Sequence, residues 1–223
     1  MKTKHTNQNV IKIVMRWVTM LLGLVCASFG ISFSLKAELG TSALSSCPAV
    51  FHAPIGITVG TALFLMCALF LVAQIVIARK DFPPFQLLQL LLIMAFGKLI
   101  DLANIVLTNV NVQALPFRIS FCALGILLLA FGMFLMLKAQ LLMPSPDAMY
   151  AMLAKRYGID YSKIKIIIDC IMVAIATVGT LLINQELVNV GIGTIAAAVL
   201  VGAVIKLFSK IKPLNGKLEA LTQ

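Results

Sequence analysis

The sequence predicts an all-α membrane protein: six transmembrane helices built as 3+3 inverted-topology repeats, each repeat carrying a short broken helix after its first span. Three observations predict it. The first is composition. The 223 residues are 61% hydrophobic and 12% charged, with a mean hydropathy of +1.05. A soluble domain is nearer 45–50% apolar and about 25% charged. The second is a repeat. Gly23-Leu24-Val25 through Phe29-Gly30, then Leu35-Lys36-Ala37-Glu38-Leu39, returns 102 residues later as Gly125-Ile126-Leu127 through Phe131-Gly132, then Leu137-Lys138-Ala139-Gln140-Leu141. Gly56-Ile57 and Gly158-Ile159 keep that offset, and Gly97 answers Gly202 after a shift of three residues. The third is the placement of positive charge, which sets the orientation of each span.

Six apolar runs follow one another: 13–35, 57–77, 85–107, 119–142, 164–183 and 188–208. Each is close to the ~20 residues that cross a bilayer core as a helix. The first run follows Lys2, Lys4, Lys12 and Arg16, as a signal peptide would. It is too long for a signal peptide's apolar region and no Ala-x-Ala site follows, so it reads as an uncleaved span. With the N-terminus cytoplasmic, 15 of the 18 cations fall on the cytoplasmic side. Lys36 and Arg118 fall outside, and Lys98 lies within a span. The positive-inside rule therefore places both termini in the cytoplasm of a bacterial inner-membrane protein. The chain divides into a cytoplasmic tail 1–12, repeat one 13–107, an external linker 108–118, repeat two 119–208 and a cytoplasmic tail 209–223. Three spans per repeat is an odd number, so the second repeat enters the membrane from the opposite side, as in many secondary transporters.

After the first span of each repeat comes helix-breaking sequence and then a short helix, over about 42–52 and 146–157. In repeat two the break is Met143-Pro144-Ser145-Pro146. Ser145 suits a cap, Pro146 the first turn and Asp147 the positive end of the dipole. Met149, Met152 and Leu153 form an apolar stripe, Lys155 and Arg156 occupy the last turn, and Gly158 closes it. In repeat one the helix opens with Gly40-Thr41-Ser42 and contains Ser45, Ser46 and Pro48. Two placements fit such pieces: a re-entrant half-helix whose free N–H groups face a cavity, or an interfacial helix lying flat on the membrane. Asp147 opposes an anion at the second helix start. Thr41, Ser42 and Ser45 leave the first open to an anionic or polar ligand.

Charge inside the spans marks further candidates, since ionisable groups there are costly and functional by default. Lys98 and Asp101 stand at i,i+3, spaced to pair on one helical face. Asp169 follows Lys165 at i+4, and Glu38 is the repeat equivalent of Gln140, expected to face it across the pseudo-axis. The candidate substrate or coupling residues are thus Lys98, Asp101, Asp169, Glu38, Thr41, Ser42 and Ser45. Gly23 and Gly30, Gly125 and Gly132, and Gly193 and Gly202 are candidates for close helix packing. No catalytic constellation is present: the sequence has no GxSxG, Walker loop or HExxH, and His5 and His52 are isolated. No Cys/His spacing indicates a metal, and no cofactor is expected. The cations form no aromatic-interleaved patch, so nucleic acid is not an expected partner.

Leu39-Gly40-Thr41-Ser42 with Ser45-Ser46-Cys47-Pro48 resembles a signature of the YczE/YyaS/YitT-type family of bacterial integral membrane proteins. Phe96-Gly97-Lys98-Leu99-Ile100-Asp101, Lys165-Ile166-Ile167-Ile168-Asp169, and Gly193-Thr194-Ile195 with Gly202 are similar to it as well. The resemblance runs from Met15 to Phe208. Ala43 and Ala203 stand where the family pattern has proline. The resemblance implies a multi-span inner-membrane protein and supplies no substrate. The expected function is a small secondary transporter or exporter, not an enzyme; the alternative is a non-transporting scaffold or accessory protein. The expected partners are the lipid bilayer and a small solute, with a homo-oligomer left open.

Overall fold

Long uncharged runs in lipid must close every backbone hydrogen bond internally, which a helix does. The computed structural model describes residues 2–79, 82–142, 144–184 and 191–210, and it is helical in every run. The elements are α1 (Lys2–Ala37), α2 (Ala43–Ile55), α3 (Val59–Ala78), a 3-10 turn (Pro84–Leu88) leading into α4 (Gln89–Leu107), α5 (Leu115–Ala139), α6 (Ser145–Tyr157), α7 (Tyr161–Asn184) and α8 (Ile192–Lys210). No strand occurs among the described residues. Five segments are long and apolar enough to cross a membrane: Lys12–Ala37, Val59–Ala78, Pro84–Leu107, Leu115–Ala139 and Lys163–Ile183. The sixth run was expected to begin at Val188, which lies outside the described residues; its helix, α8, begins at Ile192. The outer surface is apolar, with Leu69 at 72% exposure and Leu182 at 79%, as a lipid-facing wall requires.

Chain reversals follow from local sequence. Glu38 (φ 53°) and Gln140 (φ 50°) stop α1 and α5 at repeat-equivalent positions. Gly56 (φ 73°) and Gly158 (φ 65°) close the two short helices in the left-handed conformation that glycine adopts without strain. The Ser42 and Thr58 hydroxyls accept from Ser45 N and Thr61 N, capping α2 and α3. Ser145 does not cap α6: the cap position is Pro144, and the Ser145 hydroxyl instead donates to the Cys67 carbonyl of α3 at 2.8 Å.

At the centre α1 crosses α5. Gly23 lies on Gly132, and Gly30 lies on Gly125 and Leu129. Rising numbers on α1 meet falling numbers on α5, so the two helices are antiparallel. These contacts exchange under the 102-residue offset: Gly23–Gly132 maps onto Gly125–Gly30. Likewise Gly23–Met136 maps onto Gly125–Ser34, and Gly30–Leu129 onto Gly132–Ala27. A Cβ at any of these glycines would strike the facing backbone, so the glycines permit an approach that larger residues forbid.

The remaining packing is reciprocal as well. α4 runs parallel to α1, joined by Leu24 beside Leu92, Ser32 Oγ to Ile100 O at 3.3 Å and Lys36 Nζ to Thr108 O at 3.3 Å. α8 runs parallel to α5, through Ile126 beside Ala197 and Phe131 and Phe134 beside Phe208. Each short helix packs on the second long helix of the other half, α2 on α7 and α6 on α3. Two relations break the pattern: α2 touches α8 while α6 and α4 make no comparable contact among the described residues, and the second involves the long helices. α3 and α4 pack tightly at Gly60 and Gly97, whereas α7 and α8 have no comparable packing among the described residues.

Candidate functional site

The short helices do not lie flat. Along α2, Cys47 Sγ donates to Met172 O at the middle of α7, while Phe51 packs under Gly179, nearer the α7 end. Along α6, Ser145 meets Cys67 at the middle of α3, and Arg156 donates to Ile77 O at the α3 end. Both helices therefore start deep in the bundle and run outward, toward opposite ends. The α6 stripe packs inward: Met149 and Tyr150 are buried with Ile164 of α7, and Met152 and Leu153 pack against them.

The two deep ends open onto one cavity of about 180 Å³. Ser42, Ala43 and Leu44 border it from α2, and Pro144, Pro146 and Asp147 from α6. Ala43 and Leu44 occupy the first helical positions, whose N–H groups have no partner within the helix. The α6 start differs, because proline at 146 has no N–H and Asp147 supplies a carboxylate. Most of the wall is apolar, from Leu24, Leu92, Phe96, Met133 and Met136 on α1, α4 and α5. Polar groups gather on one side. Lys165 Nζ lies 3.2 Å from Asp169 Oδ2 and 3.9 Å from Asp147 Oδ1. It also sits 5.2 Å from the Tyr150 ring centroid, and Tyr150 OH donates to Asp169 Oδ1 at 3.4 Å. Ammonium, two carboxylates and an aromatic face make one cluster on the cavity wall.

The other candidates have different settings. Thr41 and Ser45 are buried, their hydroxyls 2.8 Å apart, and Ser42 Oγ lies 2.7 Å from Ser45 Oγ. These hydroxyls spend their bonds on one another, and Ser42 alone of the three borders the cavity. Lys98 and Asp101 do not pair. Asp101 accepts from Gly60 N at 2.8 Å and from Thr58 Oγ1 at 2.6 Å, while Lys98 is exposed and makes no ion pair among the described residues. The physical reason is that the α3 N-terminus offers a free N–H and a positive dipole end in fixed geometry, which a flexible lysine does not.

Glu38 does not face Gln140, because antiparallel helices put their C-terminal ends on opposite sides. Glu38 Oε2 pairs instead with Arg118 Nη2 at 3.0 Å, and Arg118 also donates to the carbonyls of Ala37 and Glu38 at the end of α1. Gly193 N donates to Leu39 O at 2.8 Å, seating the start of α8 on the connector between α1 and α2. Gly202 has no described atom within 4 Å of where a Cβ would stand and borders the cavity. The expected packing is therefore not found at Gly202 among the described residues.

Sequence reasoning missed Tyr150, Arg118 and the placement of Asp147 beside Lys165. One signal was available: Arg118 lies 102 residues after Arg16, inside the repeat. Tyr150 carried none, because its role arises only when α6 packs beside α7. No group of three or more metal-ligating side chains occurs among the described residues. One family matches the chain over residues 14–210, a family of unknown function designated DUF6198. No curated protein and no solved structure matches it.

Proposed function

We propose, for a chain that belongs to the DUF6198 family of unknown function, a small secondary transporter or exporter with six spans in 3+3 inverted repeats. One observation carries the reading: two oppositely directed half-helices begin at a shared cavity deep in the bundle. Discontinuous helices meeting at the interface of two repeats are where such transporters hold substrate. The inverted repeat draws support from the α1–α5 crossing, whose contacts exchange under the 102-residue offset as a two-fold axis in the membrane plane requires. α8, parallel to α5, serves as the sixth span. The resemblance to the YczE/YyaS/YitT-type family fits this topology.

The broken symmetry then has a meaning. With both termini in the cytoplasm of a bacterial inner membrane, the Asp101–Gly60 contact lies toward the outside and Gly202 midway along α8, beside the cavity. The external side is closed at α3–α4, and the cavity opens inward between α7 and α8. Exchanging the two conformations between repeats gives the outward-facing state.

The test uses single cysteines at Ser42 and Gly202 in a background lacking Cys26, Cys47, Cys67, Cys122 and Cys170. Membrane-impermeant maleimide is applied to right-side-out and inverted vesicles. Labelling of both positions from the cytoplasmic side, together with solute flux in proteoliposomes, is expected. Lack of water access at both positions would overturn the transporter reading in favour of a scaffold.

A further inference from the structure

Lys165 shows what its own surroundings recognise. Its ammonium lies between the Asp169 and Asp147 carboxylates and over the face of Tyr150. Tyr150 is held rigidly, 1% exposed, with Phe70 edge-on at 6.2 Å. Carboxylates combined with an aromatic face select ammonium groups, including quaternary ones. The lysine itself arrives on a flexible stem from the first turns of α7, and its side chain is 37% exposed. A lysine near a helix end can extend its head to the interface, which leaves the two carboxylates and the ring to another cation.

The rest of the cavity supplies the other half of a ligand. Its apolar wall of Leu24, Leu92, Phe96, Met133 and Met136 suits a hydrocarbon body, and methionine adapts to varied shapes. The space is also large enough for a ring. At about 180 Å³ the space is slightly larger than the roughly 150 Å³ engineered cavity that holds benzene. A ligand with one ring and a short arm fits such a space.

We propose that the cavity binds a small lipophilic amine or quaternary ammonium compound, and that Lys165 is a tethered stand-in for its headgroup. Binding expels the Lys165 ammonium toward the cytoplasmic surface. The inference rests on reading this cavity as the substrate site.

The probes are benzyltrimethylammonium and phenethylamine, with phenylacetate and 3-phenylpropanol as anionic and neutral controls of similar shape. In purified protein the two cations are expected to raise the unfolding temperature and the controls are not. Lys165→Met removes the competitor and is expected to tighten cation binding about tenfold, roughly the scale of a desolvated cation–π contact; Asp169→Asn removes a carboxylate from the site and is expected to weaken binding by at least as much. A control binding as well as the cations, or Lys165→Met failing to tighten, overturns the proposal. A second measurement needs no variant. Saturating benzyltrimethylammonium is expected to raise acylation of Lys165 by an N-hydroxysuccinimide ester, read by mass spectrometry; unchanged or reduced acylation overturns the displacement. Failure of the transport reading is distinguishable: cation binding without flux in proteoliposomes sinks transport and leaves this site standing. Water access at Ser42 without cation binding sinks this site and leaves the cavity.

Discussion

Asp101 shows how one residue's role turns on what faces it. Its spacing from Lys98 suggests an ion pair, yet its carboxylate serves the start of α3. The two readings separate by mutation. Asp101→Ala strands the Gly60 N–H and is expected to cost about 1.5–3 kcal/mol, the range for a hydrogen bond to a charged group. Lys98→Met removes a charge that makes no ion pair among the described residues and is expected to leave stability unchanged or raise it, because a charge within a span is costly. Thermal unfolding in detergent checks both, and equal losses in the two variants would restore the ion pair. Lys165 and Asp169 differ from that pair because one helix brings them together, at i,i+4 on α7. A partner supplied by the same helix is readable from spacing; a partner supplied by another helix is not.

Among the elements, the α1–α5 crossing carries the clearest energetic demand. Gly30→Ala drives a methyl into the Leu129 backbone, and Gly132→Ala does the same at Ala27. Both are expected to destabilise by about 1–3 kcal/mol, the cost of overpacking a filled interface. Gly202→Ala meets open space and is expected to leave the unfolding temperature unchanged. A loss at Gly202 equal to that at Gly30 would contradict the packing described. The short helices belong to this scale too. Their caps and breaks are legible, because Ser42, Gly56, Pro144 and Gly158 act through local backbone chemistry. Whether they dive into the bundle or lie on its surface is not, because an apolar stripe looks the same against lipid or protein. Cys47 on Met172 and Ser145 on Cys67 decide it.

For the whole molecule, the proposed transport cycle predicts a change of sides. In that proposed cycle, Asp101→Ala weakens the α3–α4 contact at Gly60 and Gly97, which the proposed orientation puts at the external side. A cysteine at Ser42 in that variant is expected to gain labelling from the external face that it lacks in the parent. Unchanged one-sided labelling in folded Asp101→Ala protein would show that the α3–α4 contact is no gate.

The sequence by itself determined the medium, the succession of apolar helices, the repeat and the places where helices break, because burial in lipid, cap chemistry and glycine spacing act over a few neighbouring residues. Tertiary structure decided which residues meet. It joined Asp101 to α3 and Glu38 to Arg118, and it gathered Asp147, Tyr150, Lys165 and Asp169 beside one cavity. Contacts between helices depend on how faces from distant segments pack, and no periodicity along a single helix records which neighbour its polar groups will find.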